Sequence, residues 1–268
     1  MVALPGRRGP GAARNAAAAL ARGEWLAFTE DDCVPAPDWL ARAAARLAAN
    51  APDVLEGLTV LPGDRPLRRR LDNGPQYVPT NLFVGHERFE RVRGYHEGYF
   101  DAARGIYFRE DSDLGFSLEE THAVVMRDDA VKVTHPDEHP GFWDPLRWAA
   151  RYEMDALLAR RHPRLFRERI EVHRVGPFRV RRPIVRACGG VVLALALAAG
   201  MVAAGHAPQA APLLWIAIAL ELVVWSKWRF HPLRLVPVLL VPFALVFALA
   251  RGRARAARWA RERAATNR

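Results

Sequence analysis

The chain of 268 residues is long enough for one ordinary domain and an appendage. Its net charge of +10 is unevenly distributed: residues 1–159 hold 19 basic and 25 acidic side chains, whereas the remainder holds 20 basic and 4 acidic ones. An acidic first part excludes a basic nucleic-acid groove, and the presence of only two cysteines, Cys33 and Cys188, excludes a disulfide framework. The first ten residues lack the apolar core of a signal peptide, so this part is expected to stay in the cytosol.

The first part of the chain alternates between helical and strand-like patterns. Helices are predicted over residues 11–22, 38–50, 86–91 and 110–120, the second of them capped by Asp38. Strands are predicted over residues 25–28, 54–61, 79–84, 123–126 and 130–134. This alternation indicates an α/β domain with a mainly parallel sheet, and segment 95–109, rich in glycine and aromatic residues, is expected to form a loop over a site.

Three consecutive acids, Glu30, Asp31 and Asp32, follow the predicted buried strand 25–28. Adjacent carboxylates repel one another, so a fold that holds them at the end of a strand needs a cation to share the site. Mg²⁺ or Mn²⁺ fits best, because these ions are usually held by one or two carboxylates together with substrate phosphates. A solvated acidic turn before the next helix is the alternative.

A second group of acids, Glu110, Asp111 and Asp113, crowds the first turn of the helix predicted at 110–120. The helix dipole stabilises ionised carboxylates at this end, which suits a general base. Ordinary N-terminal helix acids are the alternative interpretation for this segment read alone.

Three apolar segments in the last part of the chain are candidates for crossing a membrane. They are preceded by a predicted amphipathic helix at 143–161 and a basic linker at 160–186, and they are followed by a basic tail at 251–268. The candidates themselves are residues 187–204, 210–226 and 235–250.

The distribution of basic residues predicts a hairpin that leaves the cytosol, turns at Gly205 and returns at Lys227. The third segment, 235–250, is basic at both ends and therefore conflicts with this rule. It is either a third span or a re-entrant or interfacial segment, and its apolarity favours a span.

Eight short segments, taken in order, resemble a known family. The pattern begins with residues 12–15 and 21–28, which lead into Glu30-Asp31-Asp32, and it continues through residues 33–35 and 38–40. It then includes residues 80–83 and 89–97 and ends with Glu110-Asp111-Ser112-Asp113-Leu114-Gly115. Together they resemble the family 2 glycosyltransferases, which have the GT-A nucleotide-sugar-binding fold, over roughly residues 10–140. The ordered set is specific where each motif alone is weak.

The resemblance implies a set of site residues. Asp32 would bind the metal on the donor diphosphate, with Glu30 or Asp31 assisting through water, and His135 is a candidate contact to the diphosphate or the metal. Asp111, preceded by Glu110 in the same motif, would deprotonate the acceptor hydroxyl for in-line attack with inversion. The acceptor side would be formed by Asn81, Gly94, Glu97 and Asp113.

Three features depart from the family pattern. Glu30 stands where the first motif aspartate is expected, and Ser117 stands where an arginine is common. Family members also carry a strand, a glycine- or proline-rich turn and a base-binding acid before the point that corresponds to Met1. The expectation is therefore an incomplete GT-A domain at 1–159, either because the sequence is a fragment or because the nucleotide half-site is absent.

The function implied is a membrane-anchored inverting glycosyltransferase. It would move a sugar from a nucleoside-diphosphate sugar to a lipid-linked or cell-envelope glycan, would use Mg²⁺ or Mn²⁺, and would not bind nucleic acid. It is expected to be a multi-pass protein of the inner membrane with a cytoplasmic catalytic domain. The alternative is a non-catalytic, truncated or degenerate membrane protein that binds a glycan or a partner.

Overall fold

The computed structural model describes residues 4–63, 65–66, 77–137, 141–175 and 177–266. Two compact units make up the chain, Met1–His139 and Pro140–Arg268. The domain boundary predicted at residue 159 lies within the second unit, and the assignment of 160–186 as a linker remains a prediction.

The first unit contains four helices and eight strands among its described residues. The helices are α1 (Gly9–Ala18), α2 (Trp39–Asn50), α3 (His86–Arg91) and α4 (Glu110–Glu120). The strands are β1 (Trp25–Phe28), β2 (Val34–Pro35), β3 (Val54–Leu61), β4 (Arg65–Pro66), β5 (Leu82–Gly85), β6 (Phe100–Asp101), β7 (Ile106–Tyr107) and β8 (Val125–Thr134). Segment 95–109, predicted as a loop, forms a single 3-10 turn followed by the small β6–β7 ribbon.

The central sheet has the strand order β1-β5-β3-β8-β2, with β4 paired to β3. It is mixed, whereas the sequence predicted a mainly parallel sheet: β3 and β8 pair in parallel, and the other described pairs are antiparallel. The difference arises because β5 is inserted between β1 and β3 and runs against both. Apolar periodicity shows that a segment is a strand but carries no information about its direction.

Strand β8 joins two segments that the sequence predicted as separate strands. Its pairing with β3 shifts register, since Gly57 lies opposite Asp128 while Leu58 lies opposite Lys132. Residues 129–131 therefore form a bulge. A Cβ on Gly57 would lie 2.4 Å from the carbonyl oxygen of Val131, so this position has no room for a side chain.

Successive residues of the strands point to opposite faces of the sheet and build two cores. Val54 and Val84 pack on one face with Phe28, Phe89 and residues of α4, whereas Leu55 and Phe83 pack on the other face with Trp39 of α2. Helices thus cover both faces of the sheet, as expected for an α/β domain. Asp38 lies at the start of α2 as predicted, but its side chain accepts a hydrogen bond from Arg42 and makes no capping bond.

The second unit begins with short helices and a hairpin. The predicted helix 143–161 is interrupted, forming α5 (Asp144–Arg151), a 3-10 turn (Tyr152–Met154) and α6 (Asp155–Arg161). Helix α7 (Pro163–Leu165) and a π-helical turn (Phe166–Glu171) lead into the hairpin of β9 (Val172–Val175) and β10 (Phe178–Arg181).

Three long helices complete the second unit: α8 (Pro183–Ala203), α9 (Ala207–Ser226) and α10 (Leu235–Thr266). By length and composition, three segments are apolar enough to cross a membrane, Pro183–Ala203, Ala207–Ser226 and Pro232–Trp259. The predicted third segment of sixteen residues is therefore the first half of a longer helix whose second half is basic.

Candidate active site

The first acidic cluster lies in a turn that the sheet holds in place. After β1, the backbone N–H of Cys33 donates to the carbonyl oxygen of Glu30 at 3.1 Å, which closes the turn. Strand β2 then pairs with the end of β8, where Val34 lies opposite Thr134. This pairing brings the acidic turn against His135, the residue that follows β8.

Four side chains from these two segments form a group that can hold a metal ion. The ligand atoms of Glu30, Asp32, Cys33 and His135 all lie within 4.8 Å of one another. Asp31, predicted as a cofactor contact, is exposed and is not a member of this group.

His135 is oriented like a metal ligand. Its Nδ1 lies 2.7 Å from the carbonyl oxygen of Pro136, which can only accept a hydrogen bond, so Nδ1 donates. Nε2 then faces Glu30 Oε2 at 3.6 Å and Asp32 Oδ2 at 3.9 Å. Either a proton on Nε2 or a cation between these groups balances the two carboxylates, and a metal-binding histidine usually donates its other N–H to a carbonyl or carboxylate. The residues present therefore fit a divalent ion.

Cys33 was not among the site residues predicted from the sequence. Burial raises the pKa of its thiol to about 11. The thiol next to these acids is therefore protonated at neutral pH in the absence of a bound ion. The available signal was its position directly after the three acids, since a tight turn brings residues i and i+3 together.

The second acidic cluster occupies the first turn of α4, as predicted. Glu110 and Asp113 are buried, whereas Asp111 is partly exposed. Asp111 Oδ1 accepts hydrogen bonds from the backbone N–H and the hydroxyl of Ser112, at 2.7 and 3.3 Å. Asp111 is therefore the acid of this cluster best placed to meet a substrate.

Arg14 of α1 lies between the two acidic clusters. Its guanidinium is 3.5 Å from Glu30 Oε1 and 3.8 Å from Glu110 Oε1. It also lies over the ring of Tyr95, at 5.3 Å from the centroid. One guanidinium that reaches both groups of acids shows that the clusters converge, although they are 80 residues apart in sequence.

Two predicted acceptor residues serve the interior of the domain. Asn81 is 1% exposed, donates to the carbonyl oxygens of Leu58 and Val131, and accepts from the indole N–H of Trp39. Asp113 is also 1% exposed and accepts a hydrogen bond from the Tyr99 hydroxyl at 2.8 Å. Both side chains hold strands or loops together in this structure, and their assignment to the acceptor side stays a prediction.

Of the other two predicted acceptor residues, Glu97 lines a pocket and Gly94 lies at the start of the loop beside it in sequence. Gly94 has φ +60° and no space for a Cβ, which would lie 2.6 Å from Asn15 Oδ1. Asn15 in turn holds both backbone groups of Tyr95 at 2.8 Å, and this fixes the start of the loop. Glu97 pairs with Arg8 at 2.6 Å at the edge of a pocket whose lining includes His96, Tyr99, Phe100, Tyr107 and Glu110.

Comparison with known proteins identifies the first unit. Residues 1–115 match the sequence model of Glycosyl transferase family 2. This match contains both acidic clusters and Arg14, and it ends before His135. Residues 1–115 are thus similar to glycosyltransferase family 2, and the α/β fold with covering helices agrees with the GT-A-like fold expected of that family.

One curated relative is the Succinoglycan biosynthesis protein ExoO of Rhizobium meliloti (strain 1021). It is 43% identical over 127 residues, which is 43% of this chain and 36% of the relative. The chain therefore spans about a third of the length of that relative.

Among solved structures, the chain is similar to S. aureus TarS. One TarS structure gives a TM-score of 0.40 with 16% identity, covering 92% of this chain and 42% of TarS. The structure of TarS 1-349 in complex with UDP-GlcNAc gives 0.39 with 13% identity, covering 95% of this chain and 72% of the other.

Proposed function

We propose that this protein is a membrane-anchored, metal-dependent, inverting glycosyltransferase that uses a nucleoside-diphosphate sugar. The observation that carries the proposal is the contact of Arg14 with both Glu30 and Glu110. It supports a single site in which one group of acids holds an ion and the other accepts a proton.

Mg²⁺ or Mn²⁺ is the proposed metal, held by Glu30, Asp32 and His135, with Asp31 assisting through water. When bound, such an ion neutralises the charge on the departing nucleoside diphosphate. The two carboxylates are suitable ligands for a hard cation, and the ring of His135 is already oriented by Pro136.

Asp111 is the proposed general base. Its carboxylate would take the proton from the acceptor hydroxyl while the oxygen bonds to the anomeric carbon and the bond to the leaving phosphate oxygen breaks. The first turn of α4 favours the ionised carboxylate, and the hydrogen bonds from Ser112 fix its direction. Glu110, close to Arg14, is better placed to position that guanidinium than to reach the acceptor.

We propose a lipid-linked or cell-envelope glycan as the acceptor. The pocket between Glu97 and Glu110 carries the aromatic side chains of Tyr99, Phe100 and Tyr107. Aromatic rings with nearby carboxylates suit a sugar, which has apolar faces and hydroxyl edges. The name of the similar protein ExoO, a succinoglycan biosynthesis protein, agrees with a polysaccharide acceptor.

The proposed location is the inner membrane, with the catalytic domain in the cytoplasm. Helices α8 and α9 are apolar enough to span the bilayer, and they are joined by the uncharged connector 204–206. Basic residues lie before α8 and after α9, so the positive-inside rule places these ends on the cytoplasmic side.

The test is Asp111→Asn in the full chain in detergent. Transfer to a membrane lipid extract is measured with Mn²⁺ and a panel of UDP-glucose, UDP-galactose, UDP-N-acetylglucosamine and GDP-mannose. A general base contributes about 10² to 10⁴ in rate, so kcat is expected to fall by that factor while donor binding persists. Asp129→Asn, an exposed aspartate in the β8 bulge, is the matched control and should retain full activity.

Retained activity in Asp111→Asn would remove the assignment of the base. Titration calorimetry of the unmodified protein with each donor and Mn²⁺ tests the wider proposal. Absence of binding to every donor, together with absence of transfer, would favour the non-catalytic binding protein.

A further inference from the structure

The cluster of Glu30, Asp32, Cys33 and His135 contains donors that a magnesium site does not need. His135 is 8% exposed, and its Nε2 lies 3.6 Å from Glu30 Oε2. Ligands at about 2.1 Å from a tetrahedral ion lie about 3.4 Å apart. The observed spacing therefore fits an ion between these side chains with little movement.

We infer that this cluster binds Zn²⁺, or another borderline divalent ion such as Co²⁺, with Cys33 Sγ as a fourth ligand beside His135. A thiolate and an imidazole select such ions over Mg²⁺, which prefers oxygen ligands. Binding releases the thiol proton to solvent. The ion would compete with the Mg²⁺ or Mn²⁺ of the proposed transferase. This competition rests on the proposed function, whereas the binding of Zn²⁺ or Co²⁺ itself does not.

Cobalt provides a direct test on the full chain in detergent. Titration with Co²⁺ is expected to produce a thiolate-to-cobalt charge-transfer band in the near ultraviolet. Cys33→Ser should abolish the band and weaken Zn²⁺ binding at least tenfold, with little change in Mn²⁺ binding measured by electron paramagnetic resonance. Cys188→Ser, at the other cysteine of the chain, is the matched control and should keep the band.

No band, or an unchanged band in Cys33→Ser, would overturn the assignment. Because the readout is spectroscopic, this failure is distinct from failure of the transferase proposal. If the unmodified protein gives no band but keeps Mn²⁺-dependent transfer, the thiol ligand is rejected and the transferase proposal stands.

A separate observation concerns α10, which packs against only one end of the α8–α9 hairpin. Its buried residues Val238, Val241 and Leu245 share a core with the first turns of α8 and the last turns of α9, namely Ile184, Val185, Ala187, Cys188, Leu220, Val224 and Trp225. The buried small residues farther along the hairpin, Ala194, Ala198, Ala210 and Ala217, are outside this core.

Beyond that core, α10 runs along α5 and α6. Ala149 of α5 packs in the same core as Leu245. Glu153, in the turn between α5 and α6, then pairs with Arg251 at 3.4 Å and Arg255 at 3.5 Å. A Cβ on Gly252 would lie 2.2 Å from the carbonyl oxygen of Glu153, so the two backbones are in close contact.

A membrane-crossing α10 would carry α5 and α6 into the bilayer with it. Val238 and Arg255 are separated by about 26 Å along a helix, close to the thickness of the hydrocarbon core. Helix α5 carries the exposed Arg147 and Arg151, and α6 ends in Arg160 and Arg161. A charge at the centre of the bilayer costs several kcal/mol at least, so this arrangement is strongly unfavourable.

We propose that α10 lies in the plane of the membrane surface, on the same side as the open end of the α8–α9 hairpin. Its apolar half has an exposed stripe at helical spacing that would face the acyl chains, formed by Val236, Leu239, Leu240, Phe243, Val246 and Phe247. The basic half and the arginines of α5 and α6 then meet lipid headgroups, where each is favourable near anionic lipid. All basic segments of the second unit lie on one side, which removes the conflict with the positive-inside rule.

Single-cysteine labelling in sealed membrane vesicles distinguishes the two arrangements. In a Cys33→Ser, Cys188→Ser background, Thr266→Cys is compared with Arg179→Cys before α8 and His206→Cys at the hairpin tip. With a membrane-impermeant maleimide, Thr266→Cys is expected to label from the same side as Arg179→Cys and from the side opposite His206→Cys. Labelling of Thr266→Cys from the same side as His206→Cys would overturn the proposal and establish a third span.

Discussion

Two clusters of charged side chains in this protein are built in opposite ways. In the first unit, Glu30 is half-buried and Asp32 is exposed, and His135 Nε2 lies 3.6 Å from the first carboxylate and 3.9 Å from the second, too far for hydrogen bonds. In the second unit, Glu153 is 3% exposed and is shared by two arginines of α10, and Asp155 is 1% exposed and bonded to Arg182. Loosely spaced, accessible charges leave room for a ligand, whereas buried and paired charges hold helices together.

Removing the buried carboxylate of Glu153 in the second unit should give the largest effect on stability. Glu153→Ala removes a buried carboxylate that two partly exposed arginines share, so the free energy of unfolding should fall by about 1.5 to 3 kcal/mol. Denaturant unfolding in detergent measures it. Glu168→Ala, which removes an exposed pair with Arg164, should cost no more than about 1 kcal/mol. Equal losses in both variants would contradict the distinction between the clusters.

Removing a carboxylate from the cluster of Glu30, Asp32 and His135 should affect metal binding more than stability. Asp32→Asn is expected to weaken Mn²⁺ binding by roughly 10 to 100-fold, because a ligand of the ion is lost, with an unfolding free energy within about 0.5 kcal/mol of the parent. Asp129→Asn is the matched control, since Asp129 is exposed in the β8 bulge and outside the group of ligand atoms. Similar losses of Mn²⁺ affinity in the two variants would show that the turn is misassigned.

Arg14 links the two acidic clusters, and its replacement should change Mn²⁺ affinity and kcat in opposite directions. In Arg14→Gln, the loss of a positive charge beside Glu30 should tighten Mn²⁺ binding, while kcat should fall by about tenfold because the two carboxylates are no longer held in position. Arg14→Lys should restore part of the rate. Isothermal titration and initial rates test both, and a parallel fall of affinity and rate would indicate general disruption instead.

The smallest effect is expected at a residue that looks like a helix cap. The side chain of Asp38 makes no capping hydrogen bond and pairs with the exposed Arg42. Asp38→Ala should therefore change the unfolding free energy by less than about 0.5 kcal/mol, compared with about 1 kcal/mol for a true cap. A thermal unfolding shift of cap size would show that Asp38 stabilises the start of α2 after all.

Local elements of the fold were predictable from the sequence. The bounds of β1, β3, α3 and α4 agree with the prediction, because apolar periodicity and flanking turn residues mark them. The direction of β5 and the bulge in β8 were not predictable, since both depend on which strands become neighbours. Helix α1 ends at Ala18, earlier than the predicted Arg22, although the intervening residues are good helix formers.

The site was predictable where the chemistry is local. Three consecutive acids and an acidic first turn of a helix are visible in the sequence, and both lie within the residues that match the family model. Arg14 and Cys33 were missed because their roles depend on distances that only the folded chain creates. Asn81 and Asp113 were assigned to the acceptor side because a motif reports which residues recur, without reporting which of them are buried.

The bulge in β8 separates the strand into a part that can vary in length and a part that cannot. Residues 129–131 interrupt the pairing, so an insertion beside Asp129 would enlarge the bulge and leave Lys132–His135 in register. A single-residue deletion between Lys132 and His135 would rotate the imidazole to the opposite face of the sheet. Homologues with this architecture should therefore drift in length at the bulge, while the three positions before the histidine keep a fixed count.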